Sequence, residues 1–361
     1  MLGLDTPRKQ GIFVGYVMLW VSSHVLVYAS KMPGAPQYNA TSVVLITEIV
    51  KLAMALSLYR RYDGDMSLLM REVLQSPDLL LKYTVPALLY CIYNNLVYVN
   101  LSFFDPGTYN VLMQLRIVLT GVLYQVLFAT RLGRNQWLAI VLIMLGCVCK
   151  EAPKLFGSAG RVPPAVASAW LLLAFQMVCS VFAGVYNEKL LKGDGKSVRV
   201  GTNLQNAYMY LNSIVWNLAF LVLNGKLDEA VQLSNLSVVC SPTVLGIVLI
   251  MSSVGMVTGF FLKVLDSVLK SVASAVEVVL TTLLSTLLFS TPLSLADVLA
   301  AAMVGGGVAL YSRPAGSRRP AVTDAPPGKS ITEMSGLGEQ KAKHSPPLSP
   351  PLGADQEDPK R

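Results

Sequence analysis

The sequence predicts an all-α membrane protein with ten transmembrane helices arranged as two inverted five-helix repeats. Three observations lead to this fold class: an apolar composition, ten apolar runs of membrane-spanning length, and an internal match between the two halves. Of the 361 residues, 53% are hydrophobic and 14% are charged, whereas soluble domains carry about 25% charged residues. The composition therefore favours a lipid environment over water.

Ten apolar runs have roughly the 20 residues that a helix needs to cross the hydrocarbon core. We expect residues 1–10 to be a short N-terminus and residues 11–312 to be the ten-helix domain, with repeats of about 11–150 and 165–312. Residues 313–361 are rich in Pro, Ser and charge and are predicted to be a disordered tail. The predicted spans lie near residues 11–30, 41–60, 82–103, 107–129, 136–150, 165–187, 204–224, 243–262, 269–290 and 294–312.

Positively charged residues predict the orientation of these spans. With a cytosolic N-terminus, the inward loops and helix ends carry seventeen Lys and Arg residues, and the outward loops carry five. Both termini should therefore lie in the cytosol. Three Asn-x-Ser/Thr sequons, at Asn39, Asn100 and Asn235, then fall in or beside outward loops.

A shift of 161 residues superposes two segments of the sequence. It places Val118-Leu119-Thr120 on Val279-Leu280-Thr281, Gly146 on Gly307, and Arg116 on Glu277. Five spans per repeat is an odd number, so the second repeat should enter the membrane in the opposite orientation. Inverted repeats are typical of secondary transporters, which bind substrate near the midplane and alternate access between the two sides.

Ionisable side chains inside the predicted spans mark the candidate site, because a charge at the bilayer centre is costly. Arg116 shares one face of the fourth span with Tyr109 and Met113, and Lys270 shares one face of the ninth with Glu277. We expect Arg116 and Lys270 to bind a phosphate or carboxylate, the arginine through bidentate hydrogen bonds. The alternative for Lys270 is that its side chain extends to the cytosolic interface.

The other ionisable groups suggest charge pairs within the cavity. A carboxylate at Glu277 would repel a phosphate, so we expect it to pair with Arg116 or Lys51 while the site is empty. Glu48 and Lys51 are three residues apart in the second span. They either line the cavity or form a local ion pair between neighbouring turns of one helix.

Amides and aromatic rings supply the remaining candidates. Tyr93, Asn94 and Asn95 lie in the third span, and Asn206 and Tyr210 lie in the seventh. Tyr93, Asn94 and Asn95 suit hydrogen bonding and stacking with a base or sugar, and Asn206 and Tyr210 belong to another polar stripe. The alternative role of Asn94 and Asn95 is to join helices by hydrogen bonds within the membrane.

Several other functions do not fit the composition. The five cysteines are an odd number and four fall within apolar spans, so we expect core residues and no disulfide framework. Most of the net charge of +8 lies in the membrane body, where orientation explains it, so no nucleic-acid binding is predicted. No catalytic cluster is apparent with two histidines, and we expect no enzyme activity, no cofactor and no metal.

Several segments resemble the nucleotide-sugar transporter family, and within it the branch of CMP-sialic acid, UDP-galactose and UDP-N-acetylglucosamine carriers. They run in the family's order and together extend over about residues 10–312. The matching segments are Ile46–Leu52, Tyr93–Leu96, Tyr109–Ile117, Phe182–Lys189, Asn206–Leu211 and Lys263–Lys270.

The resemblance implies a drug/metabolite transporter fold in a Golgi or endoplasmic reticulum membrane. Such a carrier exchanges a cytosolic nucleotide sugar for a lumenal nucleoside monophosphate. The resemblance also implies phosphate contacts at Arg116 and Lys270, with nucleotide or sugar contacts at the positions of Tyr109, Asn94, Asn95, Asn206 and Tyr210. The partners are then the nucleotide sugar, the nucleoside monophosphate and membrane lipid, and a homodimer is left open.

Two residues depart from the family's pattern. That branch typically has lysine at the position of Arg116, and its sialate and galactose carriers have a small apolar residue at the position of Glu277. Arginine keeps the positive charge that phosphate binding requires. The added carboxylate disfavours an acidic sugar such as sialic acid and is tolerable beside a neutral one. We therefore predict an antiporter for a pyrimidine nucleotide sugar, of the UDP-sugar or CMP-sialic acid type.

Three alternatives remain open at this stage. A general metabolite exporter of the same fold would ignore competition by UMP and CMP. A membrane-embedded transferase would require a catalytic cluster of Asp and His residues or a lumenal acidic pair. A receptor or scaffold would not explain charged residues at symmetry-related positions of an inverted repeat.

Overall fold

The computed structural model describes residues 6–30, 32, 36–104, 106–157, 167–193, 200–289 and 292–312. The predicted tail and residues 1–5 lie outside this range. The described residues form helices throughout. Their bounds are α1 Pro7–Ala29, α2 Ala40–Tyr62, α3 Met66–Gln75, α4 Pro77–Lys82, α5 Thr84–Phe103, α6 Pro106–Met113, α7 Arg116–Phe128, α8 Arg134–Gly157, α9 Ala167–Lys192, α10 Thr202–Leu223, α11 Leu227–Val231, α12 Leu233–Val239, α13 Pro242–Val264, α14 Ser267–Phe289 and α15 Leu295–Ser312.

Seven segments of the described chain are long and apolar enough to cross a membrane, which confirms a multi-pass membrane protein. Six of them lie in α1, α2, α9, α10, α13 and α14, and the seventh, Tyr109–Phe128, includes most of α6 together with α7. The three other predicted spans, 82–103, 136–150 and 294–312, coincide with α5, α8 and α15. The division into ten spans and two repeats stays a prediction.

The fourth predicted span, 107–129, is interrupted in the structure. Gln114 and Leu115 separate α6 from α7, and their N–H groups bond the carbonyls three residues back, at 3.2 and 3.1 Å. Ile117 continues this tighter pattern at 3.0 Å. Tyr109 and Met113 lie before this interruption and are buried in one cluster, whereas Arg116 lies after it and begins α7. The common face of the three residues stays a prediction.

Short helices occupy two regions that the apolar pattern predicts as loops. Pro77 begins α4 at a helix position where proline is favoured, and α3 precedes it directly. The helices α11 and α12 lie between α10 and α13. All four are ten residues or shorter, so a search for membrane-spanning runs does not detect them.

Helices α8 and α15 pack closely through glycines. A side chain at Gly146 would meet Ala300, Met303 and Val304, and one at Gly307 would meet Ile143 and Ala139. Higher residue numbers in α15 thus oppose lower ones in α8, so the two helices run antiparallel. The shift of 161 residues makes these two helices equivalent. Antiparallel packing of equivalent helices is the arrangement that an inverted repeat requires.

A buried carboxylate fixes the start of α14 against the end of α9. Glu188 is 0% exposed, and its Oε2 accepts hydrogen bonds from the Ser267 backbone N–H at 2.7 Å and the Ser267 hydroxyl at 2.6 Å. Lys192 donates to Oε1 at 2.6 Å. Negative charge is favourable at a helix N-terminus, where backbone N–H groups are unpaired. These contacts position the first turn of α14, from which Lys270 projects.

Candidate functional site

A polar cavity of about 590 Å³ lies between helices α1, α5, α6, α7, α8, α9 and α14. It contains two cations and one carboxylate from the predicted set, together with Tyr93 and Asn94. Its residues are Tyr16, Trp20, His24, Tyr90, Tyr93, Asn94, Asn110, Gln114, Arg116, Ile117, Thr120, Lys150, Ser180, Val181, Gly184, Ser267, Lys270, Ser271, Ser274, Ala275, Glu277 and Val278. Arg116 and Glu277, which the shift of 161 residues superposes, therefore reach the same cavity.

Arg116 begins α7 directly after the interruption of the fourth predicted span. Its Nη1 donates a hydrogen bond to the hydroxyl of Tyr93 on α5, at 3.2 Å. Gln114, within the interruption, also lines the cavity. A guanidinium has five N–H donors, so the bond to Tyr93 leaves donors for a bound anion.

Lys270 enters the cavity from the first turn of α14. Its Nζ lies 5.8 Å from the centre of the Tyr90 ring, a cation–π distance. The Asp266 carboxylate accepts from the Leu269 N–H at 2.7 Å and caps the helix start. Because α14 is anchored at Ser267 and capped at Asp266, the ammonium group projects from a fixed helix end.

Glu277 pairs with a histidine that the sequence analysis did not place in the site. Its Oε1 lies 3.0 Å from Nδ1 of His24 on α1. The same Nδ1 lies 2.9 Å from the Trp20 carbonyl. Arg116 is near enough to act on the Glu277 carboxylate electrostatically. Lys51, the other predicted partner of Glu277, is paired elsewhere, with Glu48.

Tyr109 and Asn95, both predicted to contact substrate, support the site from behind its wall. Tyr109 is 7% exposed, and its hydroxyl accepts from the Gln176 amide at 3.0 Å. Gln176 also donates to the Tyr93 carbonyl at 3.1 Å and accepts from Asn100 at 2.8 Å. Asn95 donates to the carbonyl of Cys91 within α5, at 2.9 Å. Neither Tyr109 nor Asn95 is among the residues that line the cavity.

A second polar cluster joins α2, α10 and α13. Lys51 donates to Glu48 at 2.5 Å and lies 5.2 Å from the ring centre of Tyr210. Asn206 is buried and packs against Gly259 of α13. These four predicted residues, Glu48, Lys51, Asn206 and Tyr210, lie outside the wall of the cavity described above. The local ion pair is thus the alternative that the structure shows for Glu48 and Lys51.

Three cavity residues on α1 were missed by the sequence analysis. Tyr16, Trp20 and His24 all line the cavity at intervals of four residues. Side chains four apart share one face of a helix. This stripe of aromatic and polar groups in the first apolar run was the signal that could have found them.

The charges of the cavity suit an anionic ligand that also has neutral polar groups. Arg116, Lys270 and Lys150 provide three positive charges beside the carboxylate of Glu277, and hydroxyls and amides such as Ser271, Ser274 and Asn94 complete the wall. The described residues include no group of three or more His, Cys, Asp or Glu side chains arranged to hold a metal ion. The geometry favours charge-assisted hydrogen bonds to phosphate oxygens.

Comparisons with known proteins agree with this chemistry. The family model described as nucleotide-sugar transporter matches residues 9–312. The chain is 38% identical to the UDP-galactose transporter senju of Drosophila melanogaster, over 84% of this chain and 85% of that protein. It is 33% identical to the UDP-galactose translocator of Mus musculus, with 84% and 80% of the two chains covered.

A more distant relative and a solved structure extend the comparison. The CMP-sialic acid transporter 2 of Oryza sativa subsp. indica is 28% identical, with 84% of this chain and 83% of that protein covered. One crystal structure superposes with a TM-score of 0.62 at 16% identity, covering 85% of this chain and 97% of the other. That likeness concerns the fold alone. The sequence matches confirm a transporter over the membrane-embedded enzyme considered above, and the chain belongs to the nucleotide-sugar transporter family.

Proposed function

We propose that this protein is an antiporter that exchanges a cytosolic pyrimidine nucleotide sugar for a lumenal nucleoside monophosphate by alternating access. The observation that carries the proposal is the meeting of Arg116 and Lys270 in one polar cavity. They come from different halves of the chain and bring two positive charges to a site that suits a phosphate or diphosphate. Nucleotide sugar and product nucleotide both carry this group, so one site serves both directions of exchange.

The other end of the ligand would face the wall formed by α5. Tyr93 and Asn94 line the cavity beside Arg116, and they offer a ring, an amide and a hydroxyl to the base or ribose. The relatives that are named as UDP-galactose and CMP-sialic acid transporters support a pyrimidine base. The carboxylate of Glu277 favours the UDP-sugar side of this pair, because it would repel an acidic sugar.

Uptake into proteoliposomes tests the proposal. Vesicles preloaded with UMP or CMP should accumulate a labelled UDP-sugar faster than empty vesicles, because exchange requires a counter-substrate. A panel of UDP-sugars and CMP-sialic acid identifies the substrate. Equal uptake into loaded and empty vesicles would contradict antiport, and absence of uptake for the whole panel would contradict the transport proposal. A general exporter would show uptake that UMP and CMP do not inhibit.

We further propose a Golgi or endoplasmic reticulum membrane as the location, with both termini in the cytosol. The distribution of Lys and Arg across the loops supports this orientation. Co-localisation of tagged protein with markers of the two compartments distinguishes between them. Antibody access to the tail after selective permeabilisation of the plasma membrane tests the side on which it lies.

A further inference from the structure

We infer that Glu277, His24 and Trp20 form a subsite for a neutral hexose, which binds the sugar ring of the nucleotide sugar. The inference rests on the proposed function, because it assigns the part of the ligand that the phosphate and nucleoside contacts leave open. It adds two residues of α1 to the site and gives Glu277 a role in substrate selection. All three residues line the cavity.

The position of Glu277 requires a neutral part of the ligand. It lies seven residues beyond Lys270 on α14, which is roughly 10 Å along the helix axis. A diphosphate held between Lys270 and Arg116 would be repelled by a carboxylate at short range. Glu277 therefore faces a hydroxyl-bearing group attached to the phosphates.

Glu277 and His24 each have one side-chain atom available for a hydrogen bond to a ligand. The histidine Nδ1 lies near two acceptors, the Glu277 Oε1 at 3.0 Å and the Trp20 carbonyl at 2.9 Å, so Nδ1 carries the proton. Oε2 of Glu277 and Nε2 of His24 make no hydrogen bond to the described part of the chain. Oε2 can accept a bond from a hydroxyl group, and Nε2 can exchange one with a hydroxyl group. Two such atoms on neighbouring side chains suit the adjacent hydroxyls of a sugar ring.

An aromatic surface lies beside these acceptors. The rings of Trp20 and His24 are 5.6 Å apart between centres and inclined by 30°. Burial against a flat ring stabilises the apolar C–H face of a sugar, while the hydroxyl groups at its edge reach polar partners. The α1 residues thus provide the apolar contact, and Glu277 provides the polar one.

The arrangement also selects against a charged sugar. A hexose with its own carboxylate would approach Glu277 with like charge, and repulsion of a competitor is an effective source of specificity. A neutral hexose experiences no such repulsion. The subsite therefore favours sugars such as the galactose of UDP-galactose over those such as the glucuronate of UDP-glucuronate.

Competition for exchange in UMP-loaded proteoliposomes tests the subsite. Uptake of labelled UMP is measured against unlabelled UMP, UDP-galactose and UDP-glucuronate. In Glu277→Gln we expect inhibition by UDP-galactose to weaken about tenfold more than inhibition by UMP, because a charged hydrogen-bond acceptor for the sugar is lost. Inhibition by UDP-glucuronate should strengthen relative to UDP-galactose. In Trp20→Leu, inhibition by both UDP-sugars should weaken relative to inhibition by UMP.

Controls separate this result from other causes. Thr282→Val changes the same helix at a position outside the cavity wall and should retain the wild-type order of inhibitors. UMP contains the ribose but no hexose, so equal weakening of UMP and UDP-galactose in Glu277→Gln would overturn the subsite. If thermal unfolding shows that this variant does not fold, His24→Asn carries the same test, and an unchanged ratio of the two inhibitors overturns the inference. Failure of the wild-type protein to exchange UMP at all would instead contradict the proposed function.

Discussion

Arg116 combines two demands on one side chain, since it must stay charged within the membrane and leave hydrogen-bond donors for a ligand. Its Nη1 donates a hydrogen bond to Tyr93, which uses one of the five N–H donors of the guanidinium. Lys270 lacks such a planar group and contributes a point charge from the start of α14. Arg116 can therefore orient a bound phosphate through its planar set of donors, and Lys270 adds positive charge.

Substitution of Arg116 should separate charge from geometry. We expect Arg116→Lys to retain exchange with up to about tenfold weaker inhibition by UMP, because charge remains while the bidentate fork is lost. Arg116→Gln should weaken inhibition by UMP by about a hundredfold, since the phosphate then loses a charged partner. The measurement is the concentration of UMP that halves uptake into proteoliposomes.

A cation outside the cavity provides the control for this comparison. Arg131 lies in the exposed connection between α7 and α8, so Arg131→Gln should transport like the wild type. Equal affinities for UMP in Arg116→Gln and the wild type would contradict the phosphate role of Arg116.

The ionisable site residues were predictable because each is costly in a lipid-facing position. Arg116, Lys270 and Glu277 stand out from apolar surroundings, and all three reach the cavity. His24 and Trp20 were harder to recognise, since a neutral aromatic residue is common in a membrane helix. Tyr109 is buried behind the cavity wall, and the interruption before Arg116 depends on backbone hydrogen bonds that the apolar pattern does not record.

Among the helices, α8 and α15 show how small residues determine packing in the membrane. Lipid tails are as apolar as leucine, so helices associate through close van der Waals contact rather than burial from water. Gly307 faces α8 at a point where an added side chain would meet Ile143 at 2.5 Å and the Ala139 carbonyl at 3.1 Å. Gly305, two residues earlier, has open space around it.

These two glycines give a matched test of the helix interface. Gly307→Ala should destabilise the fold by about 1–3 kcal/mol, because the backbone of α8 must move to accept the methyl group. Gly305→Ala should be neutral or stabilise by up to about 1 kcal/mol, since alanine favours the helix. Thermal unfolding in detergent measures both variants. An equal Tm for the two would show that the glycine contacts do not hold α8 against α15.

The helix boundaries show which features a sequence pattern records. Long apolar runs such as α2 and α13 were predicted within a few residues, because a membrane span must be both long and apolar. The short helices α3 and α11 were missed, since they are held by the packing of Leu69 and Ala230 on neighbouring helices and are too short to span a membrane. The break between α6 and α7 was missed because a turn of two residues leaves no mark in hydropathy.

The predicted inverted repeat accounts for the position of the cavity. The helices α8 and α15, which the shift of 161 residues matches, run antiparallel, and Arg116 and Glu277, matched by the same shift, meet in the cavity. A site formed where two oppositely oriented halves meet can open to either side when one half rocks against the other. This is the physical reason why the proposed exchange follows from the fold as well as from the charges.

The orientation of the chain can be tested with a cysteine that it already contains. Cys240 is exposed between α12 and α13, whereas Cys91, Cys147 and Cys179 are buried and Cys149 is partly buried within α8. The positive-inside distribution predicts that this connection faces the lumen. In sealed, cytosol-side-out membrane vesicles, a membrane-impermeant maleimide should therefore label the protein only after detergent opens the membrane, and Cys240→Ser should lose that label.

An introduced cysteine on the opposite side completes the orientation test. Arg61 is exposed at the end of α2, which the same charge distribution places in the cytosol. In a Cys240→Ser background, Arg61→Cys should react in the sealed vesicles without detergent. Labelling of Cys240 in sealed vesicles together with protection of Arg61→Cys would reverse the orientation. The end of α9 that holds Glu188, and with it the start of α14 next to Lys270, would then lie on the lumenal side of the membrane instead of the cytosolic side.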